Sequence, residues 1–313
     1  MADTEKTPAE RNAALVEEIR RLARERGAVI LAHNYQRGEV QDLADHVGDS
    51  LELSRIAAKA KEKTLVFCGV WFMAETAKIL SPGKTVLIPE PKAGCPLADM
   101  CSPSQLAALQ AEHPGAVTVT YVNSSAEVKA LSDLCCTSAN AAAVVRTVPA
   151  EKEILFVPDR NLGRYVREVT GRSMHLWDGF CATHERIGAG EVSSARAAHP
   201  DAKVVVHPEC NEAVVRLADE VASTSGMLRY CAESGAASFI IGTEVNILHR
   251  LRAENPGKTF VPASENADCM NMQLTTLEKV HAAVRDGVHE VTLDEDVRRR
   301  AARAVERMVE VLG

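Results

Sequence analysis

The sequence predicts an α/β protein: three homologous three-layer αβα domains with parallel sheets, arranged with pseudo-threefold symmetry around a central site. Two observations carry this. The first is an internal repeat, which is weighed first because it constrains architecture before any propensity argument. His33, Tyr121 and His207 each follow a short apolar run (Val29–Leu31, Val117–Val119, Val204–Val206), at intervals of 88 and 86 residues. Ten residues after each comes an L-A/S-D triplet: Leu43-Ala44-Asp45, Leu131-Ser132-Asp133 and Leu217-Ala218-Asp219. Seventeen residues after each comes a hydroxyl (Ser50, Ser138, Thr224), and 45, 43 and 45 residues later a cysteine (Cys95, Cys181, Cys269). The second observation is that the strand-like runs are continuously apolar and alternate with helical patterns, as in parallel sheets covered on both faces.

Residues 8–26 read as an amphipathic helix, with Ala14, Leu15, Ile19 and Leu22 at helical spacing and Gly27 just beyond. Each repeat then runs a common course. A strand leads to the key residue, beginning with residues 28–32 in the first repeat, and a helix carries the triplet. A short second strand follows (46–48, 134–136, 221–222), and a helix follows the hydroxyl. A third strand (65–68, 154–157, 239–241) leads to a helix expected to end at Gly83, Gly171 or Gly257. The last strand (86–88, 175–177, 259–261) enters the cysteine loop. The predicted organisation is an N-terminal helix over 1–27, repeats over 28–112, 113–199 and 200–273, and C-terminal helices over 274–313 with a turn at Asp286-Gly287.

The net charge of −7, and the absence of Lys/Arg runs interleaved with aromatics, argue against a nucleic-acid partner. No run approaches the length of apolar chain a membrane span needs, and Met1–Arg11 is polar. A cytoplasmic protein without membrane contact is expected. Nine cysteines in such a chain point to metal or redox use rather than disulfides. Cys135 and Cys136 lie in an apolar run and are expected in the core. Cys68, Cys210 and Cys231 have no counterparts in the other repeats and read as small buried hydrophobes. Cys101 also lacks a counterpart.

Ligands of open parallel sheets bind beyond the carboxyl ends of the strands, where His33, Tyr121, His207 and the three repeat cysteines are all expected. Three thiolates without C-x-x-C spacing are poor zinc ligands. They suit a [4Fe–4S] cluster with one open iron, which can act as a Lewis acid on a hydroxyl or carboxylate. The hydroxyls Ser50, Ser138 and Thr224 precede helices, where they can cap them or help bind substrate anions. The segments His33-Asn34-Tyr35-Gln36, Tyr121-Val122-Asn123 and His207-Pro208-Glu209 supply hydrogen-bond donors. They also offer candidates for proton transfer, Glu209 with a histidine or tyrosine. Pro-Gly-Lys-Thr occurs at 82–85 and 256–259, but a phosphate-binding loop would need glycine where Lys78 and Arg252 stand. A glycine at a helix C-terminus is the expectation there.

At this point the chain resembles the quinolinate synthase family, iron–sulfur enzymes of de novo NAD biosynthesis. The matching stretches are Ala32-His33-Asn34-Tyr35-Gln36, Gly48-Asp49-Ser50, Cys68-Gly69-Val70 with Phe72 to Lys78, and Tyr121-Val122-Asn123. They continue through Pro158-Asp159 with Leu162-Gly163, Val206-His207-Pro208-Glu209, Ser223-Thr224-Ser225 and Cys269-Met270-Asn271-Met272, so the likeness covers roughly residues 12 to 310. The resemblance implies a transferase that condenses iminoaspartate with dihydroxyacetone phosphate to quinolinate, phosphate and water. It implies a cluster on Cys95, Cys181 and Cys269, and substrate contacts from His33, Ser50, Tyr121, Val122, Asn123, Ser138, His207, Pro208, Glu209 and Thr224. Glu209 with His33 or His207 would move protons, with Tyr35 and Tyr121 as further donors. Functional coupling to L-aspartate oxidase or aspartate dehydrogenase is the implied partnership. Some family members carry C-x-x-C-x-x-C where this chain has only Cys269, so no disulfide switch carries over. The competing readings are an aconitase-type iron–sulfur hydratase, an iron–sulfur redox sensor and, weakest, a zinc hydrolase.

Overall fold

The structure is a computed structural model that describes residues 7–311. The polar start expected at residues 1–6 and the last two residues of the C-terminal segment lie outside the described residues. The described residues form an α/β fold with three four-stranded sheets, all parallel and all built in one order. The first holds β1 (Ala28–His33), β2 (His46–Gly48), β3 (Thr64–Cys68) and β4 (Thr85–Leu87) in the order β2-β1-β3-β4. The second holds β5 (Val117–Tyr121), β6 (Leu134–Cys136), β7 (Ile154–Val157) and β8 (His175–Leu176) in the order β6-β5-β7-β8. The third holds β9 (Lys203–Val206), β10 (Glu220–Val221), β11 (Ser238–Gly242) and β12 (Thr259–Pro262) in the order β10-β9-β11-β12. All twelve strands fall where the apolar runs predicted them, within a residue or so at each end. Among the described residues no helix is long and apolar enough to cross a membrane.

The repeated aspartate is a latch. Asp45, Asp133 and Asp219 each accept the backbone N–H of the central strand at 2.8 Å, from Ile30, Thr118 and Val204 respectively. Each also returns its own N–H to the carbonyl of that residue. The triplet therefore fixes where the short edge strand meets the central strand, three residues before the strand end that bears His33, Tyr121 or His207.

Pro-Gly-Lys-Thr has a different explanation from the expected glycine cap. The helices Trp71–Leu80 and Ile247–Glu254 end at Ser81 and Asn255, and Gly83 and Gly257 are not left-handed. Only Gly171 caps its helix (Arg160–Thr170) as expected, at φ 67°. The lysine does the capping instead, on a different helix. Lys84 Nζ donates to the carbonyls of Ala57 and Ala60, closing the helix Ser50–Lys59. Lys258 Nζ donates to those of Cys231, Ala232 and Ser234 after the helix Thr224–Glu233. At the equivalent place in the second repeat, Arg172 takes the carbonyls of Val148, Pro149 and Lys152. A cation on the last carbonyls of a helix answers both the orphan acceptors and the negative end of the dipole.

The ends of the chain cover the sheets. The helix Pro8–Glu25 buries Ile19 and Ala23 with the helix Leu277–Asp286 against β1 and β3. Gly287, at φ 66°, ends that second helix as the sequence indicated. Residues 289–291 then add an antiparallel edge to β4, through Ile88 N–H to His289 O and Val291 N–H to Val86 O. The helix Glu295–Glu310 buries Ala301, Ala304, Val305 and Met308 in the largest core cluster.

Candidate active site

One cavity of about 200 Å³ opens where the carboxyl edges of the three sheets meet. β1, β5 and β9 are the strands at which each sheet reverses its order of growth, the position where open α/β sheets bind ligands. His33 and Tyr121 end β1 and β5, and His207 follows β9. All three line the cavity, as do Tyr35, Ser50, Asn123, Ser138, Glu209, Thr224 and the three cysteines Cys95, Cys181 and Cys269. Val122 and Pro208 are buried beside it but do not line it. Adjacent residues leaving a strand point to opposite faces, so each turns away from the residue before it.

Each cysteine opens a turn of helix. Its carbonyl accepts the N–H four residues on: Asp99 to Cys95, Glu185 to Cys181 and Gln273 to Cys269. Enclosure by protein pushes the Cys95 thiol up to about 12, against the backbone N–H groups of Ala98 and Leu97, while a charge on Cys269 pushes it further up. Cys181 is raised well above an ordinary thiol by the same enclosure, then by Glu209, with Cys95 and Cys269 adding to the effect. Cys269 is raised too, by burial first. Cys95 and Cys181 thus feel other thiols of the set, and no cation is among the groups that shift any of the three. Such a donor set fits a metal group, because binding of a cation is what removes protons from buried thiols. The other six cysteines, Cys68, Cys101, Cys135, Cys136, Cys210 and Cys231, are all buried away from the cavity.

The two repeat histidines share one local geometry. The N–H of Tyr35 donates to His33 Nδ1 at 3.2 Å, and the N–H of Glu209 donates to His207 Nδ1 at 3.3 Å. These bonds assign both neutral rings as the Nε2–H tautomer. Burial lowers both imidazoles to about 3, against the pull of Glu209. They are therefore uncharged donors at neutral pH, and His207 Nε2 lies 3.1 Å from Ser138 Oγ.

Glu209 is the charged centre. Burial raises its pKa, but the close His184 ring, first by charge and then by hydrogen bond, and the hydroxyl of Tyr121 outweigh this and bring it to about 2. His184 Nδ1 lies 2.7 Å from Glu209 Oε2, and the His184 ring stacks on His207 at 4.6 Å. On its other side His184 Nε2 lies 2.7 Å from Thr243 Oγ1, which in turn lies 2.5 Å from the Tyr35 hydroxyl. The result is a buried chain, Glu209–His184–Thr243–Tyr35. Glu209 Oε1 and Asn123 Oδ1 are both buried without a hydrogen-bond partner among the described residues. A buried acceptor left unpaired is costly, so both oxygens are poised for a ligand.

The hydroxyls at the repeat's third place are not the helix caps. Asp49 and Ser223 cap the helices Ser50–Lys59 and Thr224–Glu233, leaving Ser50 and Thr224 at the first helical position. Ser138 stands two residues before Asn140, the N-cap position of the helix Ala141–Thr147. Two of these hydroxyls are tied to a neighbouring sheet's strand end, Ser138 to His207 and Thr224 to Asn34 at 2.9 Å.

His184, Thr183, Arg186 and Glu244 line the cavity although the repeat did not single them out. His184 stands three residues after Cys181, where the other repeats have Ala98 and Met272. The signal was local: Cys181-Ala182-Thr183-His184 places thiol and imidazole one helical turn apart, with Cys181 Sγ 3.1 Å from His184 Nδ1. Glu244 follows β11, and burial raises its carboxyl to about 7 against hydrogen bonds from Asn246 and the Cys269 N–H.

Fold and cavity together define a class: a parallel α/β protein of three like sheets whose carboxyl edges share one pocket lined by three thiols. A family model described as Quinolinate synthetase A protein matches residues 17–310. Curated relatives named quinolinate synthase include those of Geobacter metallireducens, 55% identical over 94% of this chain and 97% of the relative, and Methanoregula boonei, 53% identical over 95% and 98%. That of Thermodesulfovibrio yellowstonii is 52% identical over 95% of this chain and 98% of the relative. The chain belongs to the quinolinate synthase family.

Proposed function

We propose that this protein is an enzyme of NAD biosynthesis that condenses iminoaspartate with dihydroxyacetone phosphate to give quinolinate, phosphate and water. The observation that supports this reading best is the convergence of Cys95, Cys181 and Cys269 on the cavity that also holds the unpaired oxygens of Glu209 and Asn123. With units taken at 28–112, 113–199 and 200–273, each contributes one thiol, one polar strand end and one hydroxyl. The three thiols would hold a [4Fe–4S] cluster, which supplies an open iron as Lewis acid for an oxygen of the substrate.

The chain's own residues account for the rest. Ser50, Ser138 and Thr224 donate to the carboxylates and phosphate of the two substrates, at places where helix starts offer further N–H groups. His33 and His207 add neutral Nε2–H donors, and Tyr35 and Tyr121 add phenol donors that burial keeps protonated. Glu209, held ionised by His184, takes a proton at Oε1 from a substrate carbon and returns it to a departing hydroxyl as water. The chain His184–Thr243–Tyr35 stabilises the charge that Glu209 carries before it takes the proton and after it returns it.

Two measurements test this. Anaerobically purified protein is expected to contain iron and sulfide, and each of Cys95→Ser, Cys181→Ser and Cys269→Ser to lose them. A colourless wild-type protein with zinc and no iron or sulfide would refute the cluster. Incubation with both substrates is expected to yield quinolinate; hydration of an alkene acid without a second substrate would instead favour a hydratase.

A further inference from the structure

We propose that His113, Glu153 and His175 form a binding site for a divalent transition-metal ion of the zinc type, on the opposite side of the second sheet from the cavity. His113 follows the helix Pro103–Glu112, Glu153 lies in the turn before β7, and His175 is the first residue of β8. All three therefore belong to the amino-terminal edge of that sheet, and none lines the cavity.

The donor spacing carries the inference. His113 Nδ1 and His175 Nε2 each lie 3.3 Å from Glu153 Oε2, and all three ligand atoms fall within 4.8 Å of one another. The two imidazole rings stand with centroids 4.0 Å apart. A tetrahedral ion with bonds of about 2.0–2.2 Å holds neighbouring donor atoms about 3.3–3.6 Å apart. Both imidazole nitrogens thus already stand at a tetrahedral edge length from the shared carboxylate oxygen, and an ion needs little movement to be received.

The backbone beneath the three donors is fixed. Glu153 O accepts the N–H of Val117 at 2.8 Å, tying its turn to β5. Arg172 gathers the carbonyls of Val148, Pro149 and Lys152 just before Glu153. His175 pairs with Leu155 in the register of β7 and β8. Only the side chains must settle to bind, which limits the ordering cost.

The donor types set the ligand. Two imidazoles and one carboxylate prefer Zn²⁺, Co²⁺, Ni²⁺ or Cu²⁺ over Mg²⁺ or Ca²⁺, which want more oxygens. The site is part-exposed, so water completes the fourth position. A bound ion would add a side-chain clip between the end of a helix, a turn and a strand start.

The test is Zn²⁺ uptake by cluster-loaded protein, measured by equilibrium dialysis and metal analysis with iron and sulfide followed in the same samples. Wild type is expected to take up one more equivalent of Zn²⁺ than the double variant H113A/H175A at unchanged iron content. Glu153→Gln is expected to weaken that equivalent at least about tenfold. Thermal unfolding should rise with Zn²⁺ in wild type and not in the double variant, and Mg²⁺ should shift neither. Because the variants differ only at this edge, zinc taken by thiols cancels between them. Equal Zn²⁺ uptake and equal thermal shifts in wild type and both variants would overturn the proposal.

Discussion

Among the described residues, two groupings of two histidines and one glutamate differ chiefly in where they stand. His184, His207 and Glu209 sit at the carboxyl edges of the sheets, with side chains 1%, 3% and 4% exposed. His113, His175 and Glu153 sit at the amino edge of the second sheet, 25%, 46% and 63% exposed. In both, a carboxylate oxygen faces two imidazoles whose rings lie near each other. Burial makes the first a committed network, in which water cannot replace a lost partner and charge must be matched inside the protein. Exposure leaves the second soft: water can replace either contact of Glu153 with His113 and His175, so those weak contacts can be given up to a cation. On the two proposals made above, the same chemical inventory would be directed to proton handling or to metal capture by the depth at which the fold places it.

The sharpest way to break this comparison is Glu209→Gln against Glu153→Gln. The first is expected to lower turnover by about 10²–10⁴-fold, the range for loss of a general acid–base group. The second should leave turnover unchanged, and steady-state assay of quinolinate formation reads both. Full turnover in Glu209→Gln would remove that residue from the mechanism. Next comes stability. His184→Ala leaves Glu209 buried without its nearest partner, which costs about 3–5 kcal/mol. His113→Ala, at the surface, should stay within about 0.5 kcal/mol in protein without added metal. Denaturant unfolding followed by circular dichroism separates the two. Within the buried network the smallest effect is expected from Thr243→Val, which keeps the shape but removes the hydroxyl between His184 and Tyr35. An unpaired buried donor of this kind costs about 1–3 kcal/mol, so turnover should fall roughly tenfold with little change in KM. An unchanged kcat would mean that the chain ends at His184.

The fold was legible because its signal is repeated and apolar. Continuous runs such as Ile154–Val157 and Ser238–Gly242 are buried on both faces, and no competing pattern obscures them. The wall of the cavity was legible wherever residues recur at equivalent places, which is how Cys95, Cys181, Cys269, Ser50, Ser138 and Thr224 were found. What the repeat concealed is what breaks it. His184 and Thr243 stand at places without like residues in the other repeats, and they meet Glu209 and Tyr35 only through tertiary packing. Recurrence by itself does not mark a place in the cavity. The aspartate of each L-A/S-D triplet recurs as faithfully as the cysteines, yet it latches strands and takes no part in the cavity. Likewise the lysines of Pro-Gly-Lys-Thr cap helices named elsewhere in the chain, a pairing that only the folded register reveals.

The amide bonds to Nδ1 of His33 and His207 have a consequence for the traffic of free metal in a cell. A histidine can coordinate an ion only through a lone pair, and here the nitrogen carrying the lone pair is occupied by its own backbone while the other carries hydrogen. To trap a stray ion through Nδ1 either ring would have to shed that amide, and to do so through Nε2 it would have to change tautomer as well, losing about 1 kcal/mol of hydrogen bonding. Thiols and imidazoles crowded into one cavity would ordinarily scavenge copper or zinc. Two plain main-chain bonds make these imidazoles poor scavengers and leave the sulfurs as the cavity's readiest claimants.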